Sequence, residues 1–304
     1  MSPVVSTWKV IDMDAYHWAY DRWGGSFITH PDVIALLSAQ LEKDIVLFGA
    51  VHTEQLVGAV ATYQGWVLSH RSVDPYKIDL GKCEIILPLN PLLRFHLPWK
   101  FVDLSALHAQ QIQDTHQMTT ELALLRPLEG PDRLSSRTQS ARRREQRRII
   151  DHGCTIDTVS TLQTSNFVAA YDTFHRQRWG TSPRAIANFA SLLEDSLSKR
   201  LFGYYIEVEG HIKALQIHYL VLTARCVFVE GVQLGHDQAM SNLRLGHAVL
   251  WQAYNTATAF ADEHKRPLRY SVGYFERGYK EHWCIAAPLL TSESHLIASK
   301  KGLG

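Results

Sequence analysis

Apolar and polar positions along this chain alternate in two similar series. In the first, Ile45–Val51 and Leu56–Ala61 flank a polar turn, the pattern of a β-hairpin. In the second, Leu201–Val208 and His211–Gln216 flank the turn Glu209-Gly210 in the same way. A further apolar strand follows each hairpin, Cys83–Leu87 and Cys226–Val232. After the second of these, Leu243, Leu250, Ala253, Tyr254, Ala257 and Phe260 recur at helical spacing, which predicts a helix from Leu243 to Ala261.

The two series share more than a pattern. Arg22-Trp23-Gly24 precedes the first hairpin and Arg178-Trp179-Gly180 the second, 156 residues apart. The hairpins keep nearly that offset, so the reading is a tandem duplication, with two copies of one mixed α/β unit. A Pro/Gly/Glu break at 127–131 separates them. It is followed by Arg133–Arg148, with seven arginines against one glutamate and no helix breaker. Ser135 or Ser136 is positioned to cap such a helix and Gly153 to end it. Arg137, Arg144 and Arg148 then share one face, with Arg143 and Arg147 beside them. Like charges at this spacing repel, which argues against a purely structural role. The expected domains are residues 1–126 and 154–304, with 127–153 as linker and arginine-rich helix.

Composition narrows the class. The chain has 304 residues, 46% of them hydrophobic and 20% charged, with a formal net charge of +1. That is a globular protein long enough for two cores. Met1–Ser6 lacks the basic start and apolar run of a secretory signal, and no apolar window approaches a bilayer span. Cys83, Cys154, Cys226 and Cys284 are far apart with no CxxC spacing, which reads as reduced thiols in a cytoplasmic setting. The histidines show no HxxxH or HExxH spacing, so no metal site is expected.

The order helix, hairpin, third strand, long helix, further strand resembles the GNAT acyltransferase fold. Two such units with a basic helix resemble the Fem-type aminoacyltransferases. The closing stretch Tyr270–Tyr274, then Gly278-Tyr279-Lys280, is similar to the strand-plus-lysine signature of their second domain. Arg22–Phe27 with Thr29–Asp32, and Asp79–Pro88, resemble the macrophage-inducible-gene family of Gram-negative bacteria, and the likeness covers nearly the whole chain. This resemblance implies two tandem GNAT-like domains and a role in resistance to cationic antimicrobial peptides. It also implies acyl transfer, with catalysis in the second domain. The implied acceptor is an amine of a lipopolysaccharide or other envelope precursor, reached from the cytoplasmic face of the inner membrane. The implied donor is aminoacyl-tRNA, with acyl-CoA as the alternative.

Residues can be matched to those tasks. The resemblance makes Lys280 the oxyanion stabiliser, a role that a fixed ammonium suits. Tyr279 is a candidate proton donor to the leaving group or a core residue. Glu230, a lone carboxylate in an apolar strand, is a candidate base, with His218 and His247 as rivals; pairing of Glu230 with His218 or Arg225 is the structural alternative. For the donor, the turn before the long helix offers Ser241, Asn242, Arg244, Gly246 and His247, although the phosphate loop of the GNAT pattern is incomplete there. Pro88 and Pro91 remove N–H donors from the first copy's turn. Arg178, Trp179 and Tyr274 are candidate substrate contacts; the Arg–Trp pairs also suit a shared structural role over the sheet. Arg137, Arg142, Arg143, Arg144, Arg147 and Arg148 are candidates for nucleic-acid or lipid phosphates. Two other classes stay open: a DNA-binding regulator using the arginine helix, and a resistance protein that only binds.

Overall fold

The computed structural model describes residues 4–41, 44–72, 79–183, 185–186, 190, 196–276 and 278–293. The elements of the first half are β1 (Val4–Val5), β2 (Trp8–Val10), α1 (Met13–Trp23), α2 (Pro31–Gln40), β3 (Val46–His52), β4 (Gln55–Tyr63), β5 (Trp66–Val67), β6 (Arg94–Phe95), β7 (Leu104–Ser105) and β8 (His116–Leu125). The second half follows with α3 (Ser136–Asp151), β9 (Thr155–Thr158), α4 (Thr164–Trp179), β10 (Leu201–Phe202), β11 (Tyr204–Val208), β12 (His211–Leu222) and β13 (Val227–His236). It ends with α5 (Leu245–Glu263), β14 (Leu268–Tyr274), α6 (Tyr279–Trp283) and β15 (Cys284–Thr291). Among the described residues no helix is long and apolar enough to cross a membrane.

The two halves share a local arrangement of strand, helix and hairpin. The first sheet runs β2-β3-β4-β5, and one edge of the second runs β9-β11-β12-β13. In each, a short strand pairs with the first arm of a hairpin, and a helix ending in Arg–Trp lies between them in the chain. Asp12 caps α1 by accepting from the Ala15 amide, and Tyr16, Ala19, Tyr20 and Trp23 form its buried stripe. Residues 187–189 and 191–195, which follow the second Arg–Trp–Gly, lie outside the described residues.

Two features depart from the sequence reading. Cys83–Leu87 is buried but forms only an isolated bridge. Side chains take the place of a neighbouring strand: the Ser26 Oγ accepts from the Ile86 amide at 3.0 Å, the His108 Nε2 accepts from the Leu87 amide at 2.9 Å, and the Thr29 Oγ donates to the Ile86 carbonyl at 2.9 Å. That explains the Ser26 and Thr29 positions of the first motif. The second departure is that β7 and β8, which precede the 127–131 break, run in the second sheet. Its order is β7-β15-β8-β14-β13-β12-β11-β9, with β10 alongside β12. The first half therefore supplies strands to the sheet of the second, and Leu122–Leu125 are buried there between β14 and β15.

The arginine-rich segment is helical, as its composition predicts. Ser135 caps α3 by accepting from the Thr138 amide, and Gly153 follows the helix at φ 76°. Ile149 is its fully buried residue, so the helix is held by one narrow seam against α5.

Candidate active site

All neighbouring strands of the second sheet are antiparallel except β13 and β14, which run parallel. Their pairing extends from Val227–Leu268 to Glu230–Ser271 and stops. Beyond that point β13 continues to His236 and β14 to Tyr274 without hydrogen-bonding to each other. The gap between them is a cleft of about 160 Å³, lined among others by Lys82, Arg178, Gln216, His218, Gln233 and Lys280. A second cleft of about 330 Å³ shares Arg178, Leu234 and Leu250 with it and extends to the start of α5, lined by Ser241, Arg244, Gly246 and His247.

Lys280, in the short helix α6, is 9% exposed, and its Nζ donates to the Tyr274 carbonyl at 2.6 Å. An ammonium has three donors, so two remain for a ligand. Burial holds its pKa below the ordinary lysine value, and Lys82 and Arg178 push in the same direction against Glu276. With Lys82, Arg178 and Lys280 against Glu276, the cleft favours anionic groups.

Three lining side chains carry buried polar atoms with no partner among the described residues: Gln216 Oε1, His218 Nδ1 and Gln233 Nε2. Interior groups of this kind are few in native proteins, and a cluster of them around one cavity fits the place of a ligand. His218 is 1% exposed, its Nε2 lies 3.0 Å from the Tyr270 hydroxyl, and burial lowers its pKa to about 3. At neutral pH it is an uncharged hydrogen-bonding group with little tendency to take up a proton. Gly231 keeps Nδ1 accessible, since a Cβ there would stand 3.4 Å from Nδ1 and 3.0 Å from the Ser271 carbonyl oxygen.

Glu230 lies elsewhere. It is opposite Tyr219, while His218 is opposite Gly231, so Glu230 and His218 point to opposite faces of the sheet. Glu230 is fully buried; its Oε1 accepts from Ser271 Oγ at 3.2 Å and its Oε2 has no partner among the described residues. Burial first, then Glu84, pushes its pKa well above the usual carboxylate range. Neither expected pairing forms. His218 bonds Tyr270, and Arg225 donates to the carbonyls of Trp23 and Leu89, each at 2.6 Å.

The remaining candidates divide between the clefts and their surroundings. Arg178 and Trp179 line the first cleft, with the guanidinium 4.8 Å from the indole centroid and donating to the Leu234 carbonyl. The two copies differ: Trp23 is 7% exposed and Trp179 58%, whereas of the two arginines Arg178 bonds a backbone carbonyl and Arg22, among the described residues, contacts indole rings alone, so neither copy shows the whole of the shared structural role. Tyr274 contributes to the wall, but its hydroxyl is engaged by Arg71 at 2.6 Å, Asp103 at 3.1 Å and His70 at 3.2 Å. Asn242 is outside the second cleft, with its carbonyl bonded to Arg148 at 2.7 Å. Tyr279 opens α6, and its side chain lies outside the described residues. Before α5, residues 238–243 form a 3₁₀ turn, and Arg244 takes a left-handed conformation at φ 55° in place of a glycine loop.

On α3, Arg137, Arg143, Arg144, Arg147 and Arg148 are exposed. Arg142 is not part of that face. It turns inward over the Trp283 ring, pairs with Glu145 at 2.7 Å and contacts His247 Nδ1. Glu145 also holds Arg244 at 3.0 Å. Glu145 is thus spent beneath the helix, and the exposed face carries five arginines, with Asp151 in the last turn as its one exposed acid. Lys82, Gln216 and Gln233 were not singled out by sequence; Lys82 alone had a signal, lying within the Asp79–Pro88 motif.

The fold and the cleft at the diverging parallel strands define a mixed α/β protein, its two larger sheets flanked by helices. The chain belongs to the Mig-14 family, which matches residues 30–292, as the Asp79–Pro88 motif implied. No curated protein matches the sequence. Among solved structures it is similar to a conserved protein of unknown function from Bacteroides thetaiotaomicron, with a TM-score of 0.50 and 12% identity over 96% of this chain and 99% of that one. It is also similar to L-PGS from Bacillus licheniformis (TM-score 0.43, 9% identity, 88% and 77% covered). A GNAT-family acetyltransferase from Colwellia psychrerythraea is a further match (TM-score 0.43, 12% identity, 94% and 98% covered). At these identities the likeness is one of fold.

Proposed function

We propose that this protein is an acyltransferase whose reaction takes place in the cleft between β13 and β14. The observation that carries the reading is the grouping of Lys280, Arg178, Gln216, His218 and Gln233 around one cavity, three of them with unpaired buried polar atoms. The acyl carbonyl would point at Lys280 Nζ. An amine of the acceptor attacks the carbonyl carbon, a C–N bond forms, and the oxyanion is held by ammonium and guanidinium donors that need no reorganisation. Collapse breaks the bond to the donor oxygen or sulfur, which leaves with the proton given up by the amine. His218, uncharged, orients a reactant by hydrogen bonding.

Aminoacyl-tRNA suits this reading as donor better than acyl-CoA. Arg148 donates to the carbonyl of Asn242, next to Ser241 of the second cleft, so the exposed arginines of α3 lie beside that cleft as a dense group of cations suited to phosphates. The acceptor we favour is an amine on a lipopolysaccharide or lipid-linked sugar at the cytoplasmic face of the inner membrane, and the consequence is resistance to cationic antimicrobial peptides. The test is mass spectrometry of lipopolysaccharide from Gram-negative cells with the wild-type gene, with Lys280→Met and without the gene. One added acyl mass in the wild type alone is expected, and transfer in extracts should be abolished by ribonuclease. No mass difference between the first and third strains defeats the transferase reading; ribonuclease-resistant transfer assigns acyl-CoA.

A further inference from the structure

The duplicated Arg–Trp pair opens a cleft in the first half as well. Its volume is about 540 Å³, and Trp18, Arg22, Trp23, Gln55 and Asn90 are among its walls. Trp18 is 48% exposed, packs edge-to-face on Trp23 at 5.2 Å, and has the Arg22 guanidinium 5.5 Å from its ring centroid. No described acid pairs with Arg22. Asn90 Oδ1 accepts from the Leu92 amide, and its NH2 group has no partner among the described residues. The floor is fixed from the other half of the molecule, where Arg225 ties the Trp23 carbonyl to the Leu89 carbonyl. Gly24, at φ 70°, lets that arginine approach, for a Cβ there would be 3.1 Å from the Arg225 backbone nitrogen and 3.2 Å from its Cγ.

This cleft differs chemically from its counterpart. None of its eight lining residues is a lysine, histidine, cysteine, serine or acid, so it lacks any group that could take or give a proton near neutrality or act as a nucleophile. What it offers is an exposed indole, a guanidinium without a counter-ion and two side-chain amides. An indole face accepts the C–H face of a sugar ring, a guanidinium accepts phosphate through two parallel N–H bonds, and amides serve hydroxyls. We propose that the first half carries a non-catalytic binding site for a phosphorylated sugar, with Trp18 as platform and Arg22 as anion anchor. A free sugar phosphate and the phosphorylated headgroup of a glycolipid present the same chemistry to this site. The proposal is independent of the transfer reaction assigned to the second half.

Calorimetric titration of the full chain tests it, with glucose 1-phosphate, glucose and inorganic phosphate as probes. Glucose 1-phosphate is expected to bind saturably, and the other two at least tenfold more weakly. Trp18→Ala and Arg22→Gln should each weaken that binding at least tenfold, whereas Arg266→Gln, at an exposed cation that lines neither cleft, should leave it within twofold. Both altered residues are exposed, and unchanged melting temperatures will show that the variants fold. Phosphatidylcholine vesicles with and without a phosphorylated glycolipid separate the sources: retention tighter than that of the free sugar phosphate identifies the lipid form, and equal or weaker retention the free one. Binding that survives Trp18→Ala, or that inorganic phosphate matches, overturns the site. Transfer activity read at Lys280 is a separate measurement, so either proposal can fail alone.

Discussion

The contact between Glu84 and Arg269 makes a strong prediction about how the two halves are joined. Glu84 comes from the first half and is fully buried; Arg269 lies on β14 with its side chain 17% exposed. The guanidinium meets the carboxylate through two N–H groups, Nη2 at 2.8 Å from Oε2 and Nε against Oε1, and Nη2 is also 3.4 Å from Ser105 Oγ. Replacing Arg269 by Met leaves an uncompensated carboxylate in the interior. Breaking a buried pair in this way costs about 3–5 kcal/mol, and the slight solvent access of Arg269 favours the lower figure. For a chain of this size that is a fall in Tm on the order of 6–10 °C. Replacing both residues, Glu84→Leu with Arg269→Met, removes the charge together with its partner and should recover most of the loss, since apolar replacements of buried pairs are often neutral. Thermal unfolding of the wild type, both single variants and the double variant completes the cycle, with an expected coupling above about 2 kcal/mol. If Arg269→Met costs less than about 1 kcal/mol, or the double variant is no better than that single one, the pair is not what joins the halves.

Three further outcomes follow from buried polar groups. Because the Glu230 pKa lies well above its ordinary 4.5 in the folded chain, the fold retains a proton that the unfolded chain releases, and stability falls as pH rises from about 4.5. Glu230→Gln should therefore raise Tm at pH 8 and change it little at pH 4; the same gain at both would contradict the assignment. His108 has the opposite sign. It is fully buried, accepts from the Leu87 amide and has a pKa lowered from 6.5 to about 4, so its share of stability is lost as pH falls through that window, up to about 3 kcal/mol. In His108→Gln the slope of Tm between pH 6.5 and 4 should flatten, and an unchanged slope would place the acid lability elsewhere. Ser26→Ala orphans the buried Ile86 amide, with an expected cost of about 1–3 kcal/mol by chemical denaturation.

Much of this architecture was legible because it is written locally. The Arg–Trp–Gly triplets mark the ends of α1 and α4, the polar turns mark the hairpins, and Ser135 and Gly153 bracket α3. What local pattern does not encode is partnership. The strand His116–Leu125 has its neighbours β14 and β15 about 150 residues downstream, and nothing in its own sequence names them. Likewise, Cys83–Leu87 has strand-like residues, but the Ile86 and Leu87 amides are taken by Ser26 and His108, which only the folded chain brings near.

The division of Glu230 from His218 shows how small a feature can decide a site. Ile217 lies opposite Gln233, but His218 lies opposite Gly231, so Val232 is an extra residue in β13. In a regular ladder His218 would face Val232, and Glu230, two residues from Val232, would share that face; the carboxylate and the imidazole would then belong to one polar group on the α5 side. The bulge shifts the parity by one and sends Glu230 to the opposite face, toward Gly81 and Ser271, while Gly231 comes to lie beside His218 Nδ1. A strand read from sequence has a period but no register, and so this position could not be found there. The cleft owes its open imidazole to the same residue, because it is the bulge that brings a glycine, rather than Val232, against the ring.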